Sequence, residues 1–259
     1  MKSLVYGNGE SRQVWDITKS YKGFTTWGCN AIYRDAVVDN LVAIDYGVQQ
    51  EIYESEYAIE NRCHFADWAI LEDFDPEFLK MNYTPMDIHE TEKGDIASCV
   101  VQGKERETAE KNYEEMINQF PHLDKEDCKN KCYTNVGLYI TWLKENDSVE
   151  YIEYPREWCA GATAMYLACQ EGDDEVYMLG FDLSEYDEPI NNIYKGTKNY
   201  LSETSKGFNT DNWTTQLIQI FKDFPETQFY WVVKEDASPL VCNNVKSITY
   251  KNLDKRCQV

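Results

Sequence analysis

Short apolar runs alternate with polar stretches through the first ninety residues: Leu4-Val5-Tyr6, Gly28-Cys29-Asn30-Ala31-Ile32, Leu41-Val42-Ala43-Ile44 and Trp68-Ala69-Ile70-Leu71. Continuous apolar runs, as opposed to strict alternation, mark strands covered on both faces, so the rhythm predicts successive strands of one parallel sheet. Gln49 to Asn61 reads as a helix with many acids on its exposed side. Glu105 to Gln119 reads as another, stopping at Phe120-Pro121 because proline restricts the residue before it. From Thr84 to Tyr154 the chain is more polar, and Asn135 to Trp142 fits either a strand or part of a helix.

The second half is more regular. Gly161 opens a small-residue helix with Ala162, Thr163, Ala164, Met165 and Ala168, which closes at Gly172. Glu175 to Asp182 reads as a core strand ending in an acid. Ser184 to Asn212 turns polar, rich in Asn, Tyr, Thr and Gly, and reads as a lid-like loop over 184–212. Trp213 to Phe224 returns to helical spacing, and Gln228 to Val233 reads as a final strand before a short tail. The whole pattern predicts an α/β protein, a mostly parallel sheet with helices on both faces. No repeat or linker divides the chain, which reads as a single domain over 1–259.

Composition narrows the function. The chain has 259 residues, 42% hydrophobic and 14% aromatic, enough to bury a core without metals or disulfides. Its 46 acidic against 25 basic residues give a net charge of −21, with no Lys/Arg cluster to offset it. That balance repels a phosphate backbone and argues against a nucleic-acid coat or an anionic-membrane binder. No apolar run approaches the ~18 residues of a spanning helix. Lys2-Ser3 leads straight into the first strand instead of a signal-peptide pattern, so a cytoplasmic location is expected. Nine cysteines, an odd number with Cys29 and Cys169 inside apolar runs, suit reduced and buried thiols. Cys128 and Cys132 have no second pair at metal spacing and read as helix-face cysteines.

Candidate chemistry begins at Tyr6-Gly7-Asn8-Gly9-Glu10-Ser11, which follows the first strand, where a doubly wound sheet places its phosphate-binding turn. Glycine lets a backbone approach a phosphate, and amides at a helix start supply donors. The same turn lacks the third glycine of the dinucleotide fingerprint and the lysine of a P-loop, so an ordinary tight turn fits it as well. Asp45 and Asp182 end predicted strands at the same edge. There a carboxylate can hold a ribose, activate an acceptor hydroxyl, or cap the following turn. Of His64, His89 and His122, His89 alone has close acidic company, in Asp87 and Glu90.

Five motifs occur in order: Gly7-Asn8-Gly9-x-Ser11, Cys29-Asn30-x-x-Tyr33, the Gly161 helix with Gly172, Tyr177-Met178-x-Gly180-x-Asp182, and Asn209-Thr210-Asp211. Together they resemble the bacterial sialyltransferases of glycosyltransferase family 42. A cluster of phage-encoded proteins looks closer still, and pterin diphosphokinase-like proteins are more distant. The resemblance implies a Rossmann-like sheet that binds a cytidine nucleotide sugar at its C-terminal strand edges, with no metal or other cofactor. It places Gly7, Asn8, Gly9, Ser11, Asn30, Gly161 and Gly180 in nucleotide binding. Arg156, Tyr186, Tyr194, Asn209 and Asp211 fall on the acceptor or lid side.

Departures from the family pattern matter equally. Ala160 stands where a serine is expected, Arg156 is displaced by one position, and Lys206 replaces the histidine base three residues before Asn209. A lysine acts as a base at neutral pH only with a strongly lowered pKa, and a fixed charge on phosphate suits it better. The expected reaction is sugar transfer from a CMP-sugar-like donor to a hydroxyl of a glycan, small molecule or modified nucleobase, inside a bacterial or phage-infected cell. Lys206, Asp182 and Asp45 are its catalytic candidates. A nucleotide-binding protein without catalysis and a diphosphate transferase are the alternatives, and a homo-oligomer is left open.

Overall fold

The computed structural model describes residues 1–66, 68–70, 84–90, 96–102, 106–133, 138–142, 149–152, 158–183, 188–234, 240 and 242–257. The chain divides into two compact units, Met1–Ala66 with Asp147–Val259, and Asp67–Asn146. Hydropathy shows no boundary there, because apolar runs of the same kind lie on both sides of residue 66.

Strands are numbered along the chain. The first unit opens with β1 (Lys2–Tyr6), β2 (Thr25–Cys29), β3 (Asn40–Ala43) and β4 (Cys63–Phe65). The second holds β5 (Trp68–Ile70), β6 (Thr84–Glu90), β7 (Ile96–Gln102) and β8 (Leu138–Trp142). The first resumes with β9 (Val149–Tyr151), β10 (Glu175–Leu179), β11 (Gln228–Val233) and β12 (Val245–Thr249). Helices follow the same order: α1 (Tyr46–Glu54), α2 (Tyr57–Glu60), α3 (Arg106–Gln119), α4 (Lys125–Tyr133), α5 (Ala160–Gln170), α6 (Asp211–Asp223) and α7 (Tyr250–Cys257).

The first unit is an α/β, Rossmann-like arrangement around one eight-stranded sheet, ordered β12-β11-β10-β1-β2-β3-β4-β9. Every neighbouring pair is parallel. Central strands are apolar and buried throughout, as in Leu4 to Tyr6, Val176 to Leu179 and Phe229 to Val232. The small residues of α5 let it pack close: Ala162, Ala164, Met165 and Ala168 share one core with Val5, Trp27, Val42, Met178 and Phe229. Chain direction across the sheet reverses between β1 and β10. Crevices at such a switch point, outside the carboxyl ends of the strands, are where these sheets bind ligands.

Several expectations change. Trp68 to Ile70 does not continue the large sheet; it pairs with β8 in a four-stranded sheet ordered β5-β8-β7-β6. The strand that follows β3 is Cys63-His64-Phe65, too short to stand out by hydropathy. Asn135 to Trp142 resolves into a strand over Leu138–Trp142. The helix expected over 49–61 is broken at Glu56, whose φ of 63° is left-handed. The short tail carries β12 and α7. Cys128 and Cys132 are buried cysteines of α4, and no group of three metal-ligating side chains occurs among the described residues. Among the same residues, no helix is long and apolar enough to cross a membrane.

One buried polar group of the large sheet is well partnered. His64 places Nε2 3.1 Å from Asn40 Oδ1, stacks on Trp27 at 5.3 Å, and sets Nδ1 3.6 Å from Glu150. Burial lowers the His64 pKa to about 4, against the opposing pull of Glu150, so the ring is neutral at pH 7.

Candidate functional site

The turns leaving β1 and β10 interlock at the switch point. The Gly7 amide donates to Leu179 O at 2.7 Å and the Gly9 amide to Gly180 O at 2.9 Å. A Cβ on Gly7 would lie 2.5 Å from Gly180 O, and one on Gly9 2.6 Å from the Asp182 carboxylate. Gly180 has φ +70°, and its Cβ would meet Gly7 O at 2.8 Å. These three glycines therefore let two backbones cross, a role separate from admitting a phosphate. Gly161 makes room for a ring, since a Cβ there would lie 3.3 Å from Phe181 Cε1.

Turn amides are likewise committed to the protein. Asp182 accepts the Ser11 amide at 2.8 Å and also the Ser11 hydroxyl, which lies 3.2 Å from the Tyr250 hydroxyl. The Glu10 amide donates to Asn191 Oδ1 at 2.8 Å, and the Arg12 amide to Gly9 O at 3.2 Å. The amides of Gly7, Gly9, Glu10, Ser11 and Arg12 thus all have acceptors within the chain. An amide cradle for phosphate, as the turn suggests, would have to break these bonds.

Beside this satisfied turn stands an unsatisfied cluster. Asn8 Nδ2 is 3.4 Å from both Cys29 O and the Tyr200 hydroxyl, near the outer limit for a hydrogen bond, and its buried Oδ1 has no partner. Turning the amide over would offer Oδ1 the Tyr200 hydroxyl as a donor but set it against the Cys29 carbonyl. Asn30 adopts a left-handed φ of 52° where β2 gives way to the 3-10 helix Asn30–Arg34, and its buried Oδ1 is also unpartnered. Tyr200 reaches in from the loop, its hydroxyl accepting the Ala31 amide at 3.2 Å. An unsatisfied buried acceptor costs about 1–3 kcal/mol, and left-handed backbone outside glycine is uncommon. Two unpartnered acceptors and one left-handed residue thus sit where β1 and β2 end.

The loop described over 188–210 contains one bridge, Pro189 to Lys206, and no helix or strand. It is tied down at both sides. The Ile193 amide donates to Asn8 O at 2.8 Å, and Lys195 Nζ to Glu10 Oε1 at 2.5 Å. Arg34, paired with Glu51, donates to Thr197 Oγ1 at 2.8 Å and Lys198 O at 3.1 Å, while Asn199 donates to Gly47 O at 3.0 Å. Ile190 and Tyr194 are buried, so this polar stretch adds side chains to the interior as well as covering the β1 and β2 ends.

The remaining candidates separate by surroundings. Asp45 occupies the N-cap position of α1, where its main-chain carbonyl accepts the Val48 and Gln49 amides. Its carboxylate is exposed, makes no side-chain cap bond, and lies within electrostatic reach of Tyr200. Asp182 is held by Ser11. Lys206 is exposed on the loop. Asn209 donates to Asp211 at 3.1 Å across the exposed start of α6. Arg156 and Tyr186 lie outside the described residues. Tyr200 and Arg12 were not legible as site residues in the sequence. Tyr200 is one of 19 tyrosines, and nothing in the run Gly9-Glu10-Ser11-Arg12 tells that an arginine turns inward.

Compared with known protein families, characterised proteins and solved structures, the chain matches none.

Proposed function

We propose that the carboxyl edge of β1 and β2 binds the nucleotide half of a CMP-sugar-like donor, and that the chain transfers the sugar to an acceptor hydroxyl. The observation that carries this reading is the pair of buried, unpartnered carbonyl oxygens on Asn8 and Asn30, where β1 and β2 end. Acceptors of that kind suit the donors of a nucleoside, its ribose hydroxyls and an exocyclic amino group. The short motifs of the family-42 sialyltransferases point the same way.

In this reading Asp45 is the base. Its carboxylate is exposed at the end of β3, whereas Asp182 is engaged by Ser11. Asp45 takes the proton of the acceptor hydroxyl as its oxygen bonds to the anomeric carbon, and the bond from that carbon to the phosphate oxygen breaks with its electron pair leaving on CMP. Lys206 contributes charge and no proton transfer, and the 188–210 loop covers the donor. The test is release of CMP from a CMP-sugar in the presence of a chelator. Asp45→Asn should lower turnover about 100-fold or more, the usual scale of general-base catalysis, without changing CMP affinity. CMP binding with no turnover under any acceptor supports the second reading, a nucleotide-binding protein without catalysis. The engagement of Asp182 by Ser11 favours that alternative.

A further inference from the structure

Arg12, in the 3-10 helix Glu10–Val14, is 2% exposed. Its Nη2 donates to the Tyr194 hydroxyl at 3.3 Å, its buried Nε has no acceptor, and it makes no ion pair among the described residues. Asp35 is reached one step away, through Tyr194, which donates to it at 2.6 Å. Tyr6, Cys29, Tyr194 and Tyr250 feel the Arg12 charge. Burial pushes the Cys29 thiol up to about 12 and raises all three phenols, so none of the four is an anion at pH 7.

A guanidinium taken out of water without a counter-charge is costly, and proteins ordinarily keep such a charge paired. The Tyr194 contact is a weak substitute, longer than the roughly 2.7–2.9 Å of a charge-assisted bond. Arg12 also belongs to the switch point: a Cβ on Gly180 would lie 3.1 Å from Arg12 Cβ. With a net charge of −21 the protein as a whole repels anions, so an anionic ligand needs a dedicated cation.

We propose that Arg12 holds a phosphate-type oxyanion at the switch point, with Tyr194 giving up its place on Nη2 when the anion arrives. The planar fork of arginine can make two parallel bonds to such a group. Identifying the anion as the phosphate of a nucleotide rests on the nucleotide reading above; the oxyanion site itself does not.

The experiment is thermal melting of the wild type and Arg12→Met with inorganic phosphate, cytidine and CMP at constant ionic strength. Phosphate and CMP should raise the wild-type melting temperature. Arg12→Met should melt at the same or a higher temperature without ligand, lose the phosphate response, and keep any response to cytidine. An Arg12-dependent phosphate response, with CMP no better than phosphate and cytidine inert, supports the site and removes the nucleotide reading. An unchanged phosphate response in Arg12→Met overturns the site, whatever cytidine does. So does an Arg12→Met chain that fails to fold, because the guanidinium would then serve the fold. A wild type indifferent to phosphate and CMP overturns it without any variant.

Discussion

The glycine interlock between the β1 and β10 turns and the asparagine cluster beside it share a few residues of chain, yet they treat polar groups in opposite ways. In the interlock each turn amide from Gly9 to Arg12 has an acceptor, and the glycines are bare where a Cβ would strike backbone. In the cluster Asn8 and Asn30 keep buried oxygens without partners, and Asn30 holds a left-handed backbone as well. The first region stabilises the sheet. The second leaves acceptors unmet, a cost that a bound donor would remove. The Gly-x-Gly motif and its central asparagine, which look like one signal in the sequence, are two devices.

The largest effect should follow from filling the interlock. Gly9→Val sets a branched side chain where even a Cβ lies 2.6 Å from the Asp182 carboxylate and 2.7 Å from Gly180 O. Its loss in stability should exceed about 3 kcal/mol in urea unfolding, among the larger values for single substitutions. Gly180→Ala should cost at least about 1–2 kcal/mol from the left-handed backbone alone. Wild-type midpoints for both would show that the two turns do not interlock.

A buried but partnered site provides the control. His64 is neutral with its pKa lowered by burial to about 4, below the ordinary 6.5. Above pH 6.5 the ring is neutral in both folded and unfolded chains and adds no pH dependence. As pH falls from 6.5 toward 4 the unfolded chain takes up the proton first, so stability should decline by about 1.4 kcal/mol per unit across that window. The Arg62 hydrogen bond to Glu150 holds that carboxyl below its ordinary 4.5, so its contribution is lost at more acid pH. His64→Gln should flatten the upper part of the profile. An unchanged slope would place the titration elsewhere.

The smallest effect on stability is expected in the cluster. Asn30→Gly relieves the left-handed backbone and removes the unpartnered oxygen, against the added freedom of glycine in the unfolded chain. Urea unfolding should find it unchanged or stabilised by no more than about 1–2 kcal/mol. A clear loss would make Asn30 a structural residue like the glycines.

Much of the large sheet was legible. The runs at Leu4, Leu41, Val176 and Phe229 carry no polar interruption, because parallel strands covered on both faces need none. β12 does not stand out in the sequence because an edge strand is only half covered, and Lys246 and Ser247 break its apolar pattern. β4 has three residues, one of them His64. The Gly7-Asn8-Gly9 turn lies at the end of β1, where its pattern points, but its physical reason is not legible in sequence, since the partner turn at Gly180 lies far along the chain. Arg12 and Tyr200 share that difficulty: inward placement depends on long-range packing that local pattern does not record.

The central claim is that the unpartnered asparagines await a nucleotide, and calorimetric titration of CMP into the wild type, Asn8→Ala and Asn30→Ala tests it most directly. The wild type should bind, and each substitution should weaken the dissociation constant roughly tenfold or more, a loss of about 1.4 kcal/mol. A near-wild-type melting temperature should accompany Asn8→Ala, while Asn30→Ala should lose no more than about 1–2 kcal/mol, which left-handed backbone costs an alanine. No binding by the wild type, or equal affinity in all three proteins, would contradict it.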